Sequence, residues 1–156
     1  MSVLSLPSTR QTNIALAILR TVVGIVFIAH GGQKLFQFGF DGVSAAFAQM
    51  GIPLAGFVGP LVALLEFFGG IALIFGVLTR VVAFGLALTM LGATLLVHLA
   101  GGFFMPTGIE LTLTLFGASL ALAVAGAGGL SLDAAIARRG ERTTLSTAST
   151  RLNRAA

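Results

Sequence analysis

A carboxylate interrupts the stretch from Leu61 to Arg80, LVALLEFFGGIALIFGVLTR, and no other feature constrains the fold as strongly. The stretch is apolar over the length of a membrane span, and Glu66 lies inside it. A charged side chain at the centre of a bilayer costs about 3 kcal/mol even on lenient insertion scales, so such residues face the protein interior and have a partner. The sequence therefore predicts a helix bundle with Glu66 turned inward.

Composition predicts a membrane protein of the all-α class. Hydrophobic residues make up 56% of the 156-residue chain and charged residues 9%, whereas soluble domains carry about 25% charged residues. A chain of this length accommodates a four-transmembrane-helix bundle but no separate soluble domain. The chain has no cysteine, which excludes disulfides, thiol redox chemistry and cysteine-ligated iron–sulfur clusters.

The apolar runs divide the chain into three parts. A polar lead, 1–13, precedes a membrane domain, 14–126, with spans at about 14–36, 57–78, 81–100 and 109–126. A basic tail, 127–156, follows, and we expect it to be partly disordered. Two short helices complete the prediction: an interfacial one in the first outer loop, with Asp41 as its N-cap and Met50 near its end, and an amphipathic one after span 4.

The basic residues predict how the chain is oriented in the membrane. With both termini cytoplasmic, that side collects Arg80 and most of the other arginines, while the outer side has Lys34. Thr79 and Arg80 are expected to form a tight turn between spans 2 and 3. The net charge of +4 comes mostly from the C-terminal tail, so it gives no indication of nucleic-acid binding.

Glycines spaced seven residues apart predict where helices approach closely. Gly24 and Gly31 share a face of span 1. The pairs Gly69 with Gly76 and Gly85 with Gly92 are similarly spaced in spans 2 and 3, which predicts tight antiparallel packing of those two helices.

Arg20 in span 1 is the predicted partner of Glu66. Helix rise places Arg20 roughly 9 Å and Glu66 roughly 14–18 Å from the inner membrane surface, and pairing would relieve the cost of burying either charge. Three interpretations remain open. The pair is a structural clamp, or it is the polar floor of a ligand pocket, or Arg20 faces lipid and extends its charge to the interface.

Four polar residues, His30, Lys34, His98 and Glu110, fall at the outer ends of their helices and form a predicted outer polar pocket. Among them, His30, Lys34 and Glu110 suit the headgroup of a quinone, which needs hydrogen-bond donors and proton carriers. The alternative is that each one meets lipid headgroups. His30, His98 and Glu110 also have the residue types of a two-histidine, one-carboxylate metal centre, but their spacing has no signature and we assign no metal.

The ordered set of these residues resembles the DoxX family of small four-helix bacterial membrane proteins. The resemblance rests on Arg20, the run HGGQKLF at 30–36, Glu66 with Gly69-Gly70, GVLTR at 76–80, His98 with Gly101-Gly102-Phe103, and Glu110. It implies a location in the bacterial cytoplasmic membrane. It also implies a role as an accessory or quinone-interacting subunit of a membrane oxidoreductase system, because the family takes its name from a subunit associated with thiosulfate:quinone oxidoreductase.

Two other classes of function remain open at this point. One is a non-catalytic membrane scaffold or assembly protein, and the other is a small-solute or proton transporter. No catalytic residue is assigned, since no sequence motif here holds an electron and any redox step would use a quinone or a partner's cofactor. The expected partners are the lipid bilayer, a soluble or membrane oxidoreductase, and a second copy of the chain.

Overall fold

The computed structural model describes residues 6–139, and within that range it is all-helical, which confirms the predicted all-α class. The α-helices are α1 (Thr9–Gly32), α2 (Gly39–Gln49), α3 (Ala55–Phe75), α4 (Thr79–Gly92) and α5 (Glu110–Ala125). Wider π-helical turns extend α1 and α4 over Gln33–Phe38 and Ala93–His98, and residues 132–139 are also helical. The part of the basic tail that we expect to be disordered, 143–156, lies outside the described residues.

Three helical stretches, Thr9–Gln49, Ala55–Phe75 and Thr79–Gly101, are long and apolar enough to cross a membrane. The fourth apolar helix, α5, has 16 residues and is therefore about 24 Å long. This is less than the thickness of about 30 Å of a typical hydrocarbon core.

The first helix begins earlier than the predicted span. Ser8 accepts a hydrogen bond from the backbone N–H of Gln11, and the side chain of Gln11 accepts one from the backbone N–H of Ser8. This reciprocal capping box satisfies two N–H groups that a helix start leaves unpaired. Thr9 to Asn13, which we predicted to belong to the polar lead, are therefore the first residues of α1.

Backbone contact between α1 and α3 confirms the predicted close approach at Gly24 and Gly31. A Cβ built on Gly24 would lie 2.6 Å from the carbonyl oxygen of Gly70, and one on Gly31 would lie 2.4 Å from the backbone nitrogen of Phe67. The two antiparallel helices therefore touch through their main chains, as small residues allow in membranes. This contact fixes the depth of α3 relative to α1.

The glycines of α3 and α4 behave differently from the prediction. Gly69 packs against Val82, and Gly85 against Leu65, but both contacts are with side chains. Gly76 ends α3 in a left-handed conformation with φ 67°, and no heavy atom lies within 4 Å of a Cβ built on Gly92. Close α3–α4 packing is therefore confined to one part of their length.

The turn between α3 and α4 lies earlier in the chain than predicted, directly before Thr79. It runs through Gly76, Val77 and Leu78, and Leu78 has a positive φ of 47°. Thr79 and Arg80 already belong to α4. A Gly with φ in this range ends helices readily because it lacks a Cβ, which explains why the chain turns at Gly76.

The loop after α1 folds into α2, but Asp41 does not cap it. The helix begins at Gly39, which has φ 67°, and Asp41 is exposed in its first turn. Val43 is buried against Gly59 of α3. This contact holds α2 beside the start of α3.

The bundle has two ends, which we name by their residues. The basal end contains the start of α1, the turn Gly76–Thr79 and the segment Gly126–Asp133. The cavity end contains the π-helical turns Gln33–Phe38 and Ala93–His98, α2 and the loop before α5. A hydrophobic core that includes Phe27, Leu73, Leu86 and Leu122 lies between the two ends.

Candidate functional site

A cavity of about 600 Å³ lies at the cavity end of the bundle, and each of the helices α1 to α5 contributes to its lining. Most of its wall is apolar. Its polar and basic lining residues are His30, Lys34, Glu66, Thr89, His98 and Thr112. The volume falls within the range of about 300–1,000 Å³ found for small-molecule sites, which are also mainly apolar with a few polar groups.

Lys34 and Glu66 form an ion pair in the cavity wall, with 2.5 Å between Nζ and Oε2. Glu66 is 2% exposed, whereas the Lys34 side chain is 20% exposed. The α1–α3 contact at Gly31 brings the two residues together, because Lys34 lies almost one helical turn beyond Gly31. Glu66 is therefore turned inward and paired, as predicted, but its partner is Lys34.

The predicted pair between Arg20 and Glu66 is wrong. Arg20 is buried at the basal end, where Nη1 donates to the carbonyl oxygens of Leu73 (3.1 Å) and Ile74 (2.5 Å), and Nη2 donates to that of Leu130. The last carbonyls of a helix have no partner within the helix and attract a cation. Ile74 lies eight residues beyond Glu66, about 12 Å along α3, so Arg20 serves a different end of the bundle.

Two histidines of the predicted outer polar pocket, His30 and His98, line the cavity. Their Nδ1 atoms lie 2.9 Å from the carbonyl oxygen of Val26 and 3.0 Å from that of Thr107, respectively. A carbonyl oxygen can only accept, so Nδ1 carries the hydrogen in each ring. In the neutral form, Nε2 of each histidine is then a proton acceptor.

Glu110, the fourth residue of the predicted pocket, is not part of the cavity lining. Its Oε1 accepts a hydrogen bond of 2.9 Å from the backbone N–H of Met105. Met105 and the following Pro106 do line the cavity, and the peptide bond between them is cis. Glu110 therefore shapes the loop that borders the cavity instead of contributing a functional group to it.

Two buried threonines, which the sequence analysis did not single out, add polar groups to the α4–α5 side. The hydroxyls of Thr94 and Thr112 are 2.9 Å apart, and Thr112 lines the cavity. Their sequence signal was weak because threonine in a helix commonly bonds the carbonyl four residues earlier, as Thr94 does with Met90.

Across residues 6–139, no three His, Asp or Glu side chains converge in a way that could hold a metal ion.

Asp133 is a third residue that the sequence analysis missed, and it acts at the basal end. Its Oδ1 and Oδ2 accept hydrogen bonds from the backbone N–H groups of Leu78 (2.8 Å) and Thr79 (3.0 Å). A carboxylate at a helix start both satisfies unpaired N–H groups and complements the helix dipole. Asp133 thus caps α4 from 54 residues away in the chain, a distance at which no sequence motif could reveal the pairing.

We expect the substitution Asp133→Ala to lower the free energy of unfolding by about 1–2 kcal/mol, because α4 loses a two-bond cap. Thermal unfolding in detergent measures the loss, and hydrogen exchange at the amides of Leu78 and Thr79 should accelerate. Asp41→Ala, which removes an exposed carboxylate from the first turn of α2, is the matched control. An equal loss of stability in both variants would contradict the capping role.

Fold and cavity together define a small helical membrane protein with an ion pair in the wall of a mainly apolar cavity. The DoxX family model matches residues 15–99, which run from within α1 through α2, α3 and α4. The chain belongs to the DoxX family, and the resemblance noted from its sequence is confirmed.

Curated relatives support this membership over most of the chain. A Bacillus subtilis protein named "Putative oxidoreductase CatD" is 36% identical over 124 residues, which cover 80% of this chain and 88% of the relative. The Escherichia coli inner membrane protein YqjF is 38% identical over 127 residues, 78% of this chain and 91% of its own length. A Mycobacterium tuberculosis membrane protein is 37% identical over 89 residues, 54% of each chain. No solved structure matches the chain significantly.

Proposed function

We propose that this DoxX-family membrane protein is a quinone-binding accessory subunit of a membrane oxidoreductase system. The observation that supports it best is the Lys34–Glu66 pair in the wall of an apolar cavity. A quinone is a flat apolar ring with two carbonyl acceptors, so it suits a cavity that offers few but strong donors. The name of the Bacillus subtilis relative, which describes an oxidoreductase, agrees with a redox role.

Lys34 is the residue best suited to hold a quinone carbonyl. An ammonium group has three N–H donors, and the Glu66 carboxylate uses one of them. The remaining donors lie at the cavity wall, where hydrogen bonds from a charged group are about twice as strong as neutral ones. Glu66 fixes the position of the ammonium group and keeps the buried site electrically balanced.

The two histidines would accept and return protons in this site. Interconversion of a quinone and a hydroquinone moves two electrons and two protons. Nε2 of neutral His30 and Nε2 of neutral His98 each accept one proton from a hydroquinone hydroxyl, which accounts for both protons, and the protonated rings return them in the opposite direction. The two electrons pass to or from a flavin or an iron–sulfur cluster of a partner oxidoreductase, since this chain has no cysteine for a cluster of its own.

The same proposal includes a four-span arrangement in the cytoplasmic membrane. Both termini are cytoplasmic, so the basal end faces the cytoplasm and the cavity end faces outward. In this arrangement α5 crosses with the help of the segments that flank it, and α2 lies at the outer interface. A partner oxidoreductase would then approach the cavity end, where the loop before α5 and α2 border the cavity.

Quinone binding can be measured by fluorescence, because the chain has no tryptophan or tyrosine. A Phe47→Trp variant places a single tryptophan in the cavity wall. In lipid nanodiscs, we expect long-chain ubiquinone to quench this tryptophan saturably at about one quinone per protein. The substitution Lys34→Gln in the same background should weaken binding by about 10-fold or more, the cost of a lost charged hydrogen bond.

Phe75→Trp is the matched control, since Phe75 is exposed at the end of α3 near the basal end. Quenching there should rise in proportion to the quinone content of the lipid, without saturation. If both tryptophans are quenched alike, the cavity does not bind quinone. A scaffold role would then be the better account of the family's association with oxidoreductases.

A further inference from the structure

The cavity wall continues onto the outer surface of α4. Leu88 and Leu96 line the cavity, yet they are 53% and 64% exposed. A residue that both lines a cavity and is largely exposed marks its rim. Leu88 lies about 14 Å and Leu96 about 26 Å along α4 and its π-helical extension from Thr79. The rim therefore extends through the depth of the span and not only across its end.

The packing of α3 and α4 explains why the wall opens there. The two helices are in contact where Gly69 meets Val82 and where Gly85 meets Leu65. Nearer the cavity end, Val58 and Val62 of α3 line the cavity together with residues of α4. The helices are thus joined at the basal end and separated by the cavity farther along.

Gly92 keeps the rim open. It lines the cavity between Leu88 and Leu96, and no heavy atom lies within 4 Å of a Cβ built on it. A glycine in a helix destabilises it by about 1 kcal/mol relative to alanine, and at this position no packing contact requires one. The absent side chain leaves a gap in the wall.

We propose that the rim formed by Leu88, Gly92 and Leu96 is a lateral portal that admits the isoprenoid tail of a lipid-soluble quinone from the bilayer. This rests on the proposed quinone site and specifies its substrate class. The tail lies along the rim while the headgroup meets Lys34 inside the cavity. The occupant is apolar because all three rim residues are apolar and the portal opens at the depth of the hydrocarbon.

The test adds bulk at the portal and compares two quinones. In the Phe47→Trp background, Gly92→Leu should weaken binding of long-chain ubiquinone by about 10-fold, roughly 1.4 kcal/mol, because the new side chain occupies the position of the tail. Binding of a ubiquinone with a single isoprene unit should change by less than about 2-fold. That unchanged binding also shows that the variant is folded.

Gly117→Leu is the matched control. Gly117 is also a helical glycine whose Cβ would meet no heavy atom within 4 Å, but it lies on an exposed face of α5 and does not line the cavity. It should bind both quinones as the parent does. If Gly92→Leu disturbs folding, Leu88→Phe adds bulk at the same rim and should show the same discrimination.

The outcomes separate the two proposals. Equal weakening of both quinones, or no change in either, would overturn the portal while leaving the quinone site intact. Absence of saturable quenching in the parent protein would overturn the quinone site and the portal with it.

Discussion

Replacing Lys34 by methionine should lower the free energy of unfolding by about 3–5 kcal/mol. Glu66 is 2% exposed, and removal of one partner of a buried ion pair leaves an uncompensated charge in a low-dielectric interior. Methionine keeps the length and most of the volume of the lysine stem, so the loss reports charge and not packing. Denaturant titration in mixed micelles measures it.

The double variant Lys34→Met/Glu66→Gln should recover much of this loss, because it removes both charges together. Buried ion pairs replaced by neutral groups are often nearly as stable as the original. Arg10→Met, at an exposed position in the first turn of α1, is the control for loss of a cation and should change stability by less than about 0.5 kcal/mol. If the double variant is less stable than Lys34→Met alone, the loss of stability in Lys34→Met does not come from an unpaired charge on Glu66.

Gly31→Ala should lower the free energy of unfolding about as much as Lys34→Met does, because it places a methyl group at the contact between α1 and α3. The new Cβ would lie 2.4 Å from the backbone nitrogen and 2.8 Å from the Cα of Phe67. Neither atom can move without displacing α3, so we expect a loss of about 3 kcal/mol, at the upper end for overpacked sites. The displaced helix would also separate Lys34 from Glu66, so quinone binding should fall together with stability.

Gly117→Ala is the control for this substitution because its Cβ points into open space. It should be neutral or stabilise the protein by up to about 1 kcal/mol through helix propensity. Thermal unfolding of both variants in one detergent gives the comparison. Gly31→Ala with wild-type stability would show that α1 and α3 are not held together by this contact.

The helices could be predicted well because hydrocarbon imposes simple rules on sequence. Apolar runs long enough to span, and glycines on one face, gave the helical class and the α1–α3 contact at Gly24 and Gly31. The helix ends were less predictable. The capping box at Ser8 extended α1, and Gly76 ended α3 before Thr79, because local backbone hydrogen bonds decide where a helix begins and ends.

The polar contacts could be predicted only in part, since they depend on relative depth. A rise of about 1.5 Å per residue placed Arg20 and Glu66 within reach of each other. That estimate did not include the carbonyls of Leu73 and Ile74 at the end of α3, which bind Arg20 instead. Glu66 was then available to Lys34, which the sequence analysis had placed at the outer end.

Hydrogen bonds between side chains and backbone N–H groups were beyond prediction. Asp133 follows α5 in a segment that looked like a surface helix, yet it caps α4. Glu110 was correctly expected at the start of α5, but its side chain turns to the backbone of its own loop at Met105. In each case the partner is a backbone N–H, and backbone groups carry no signature in a sequence.

The contacts of Arg20 imply an order of assembly during synthesis. Arg20 is bonded to residues that follow it by 53, 54 and 110 positions, so α1 leaves the ribosome long before its arginine has any of these partners. Lys34 similarly precedes Glu66 by 32 residues. The first helix must therefore enter the membrane with two cations that are not yet neutralised or bonded, and arrival of α3 relieves both. The carbonyl of Leu130 completes the arrangement only after all of α5 has been synthesised.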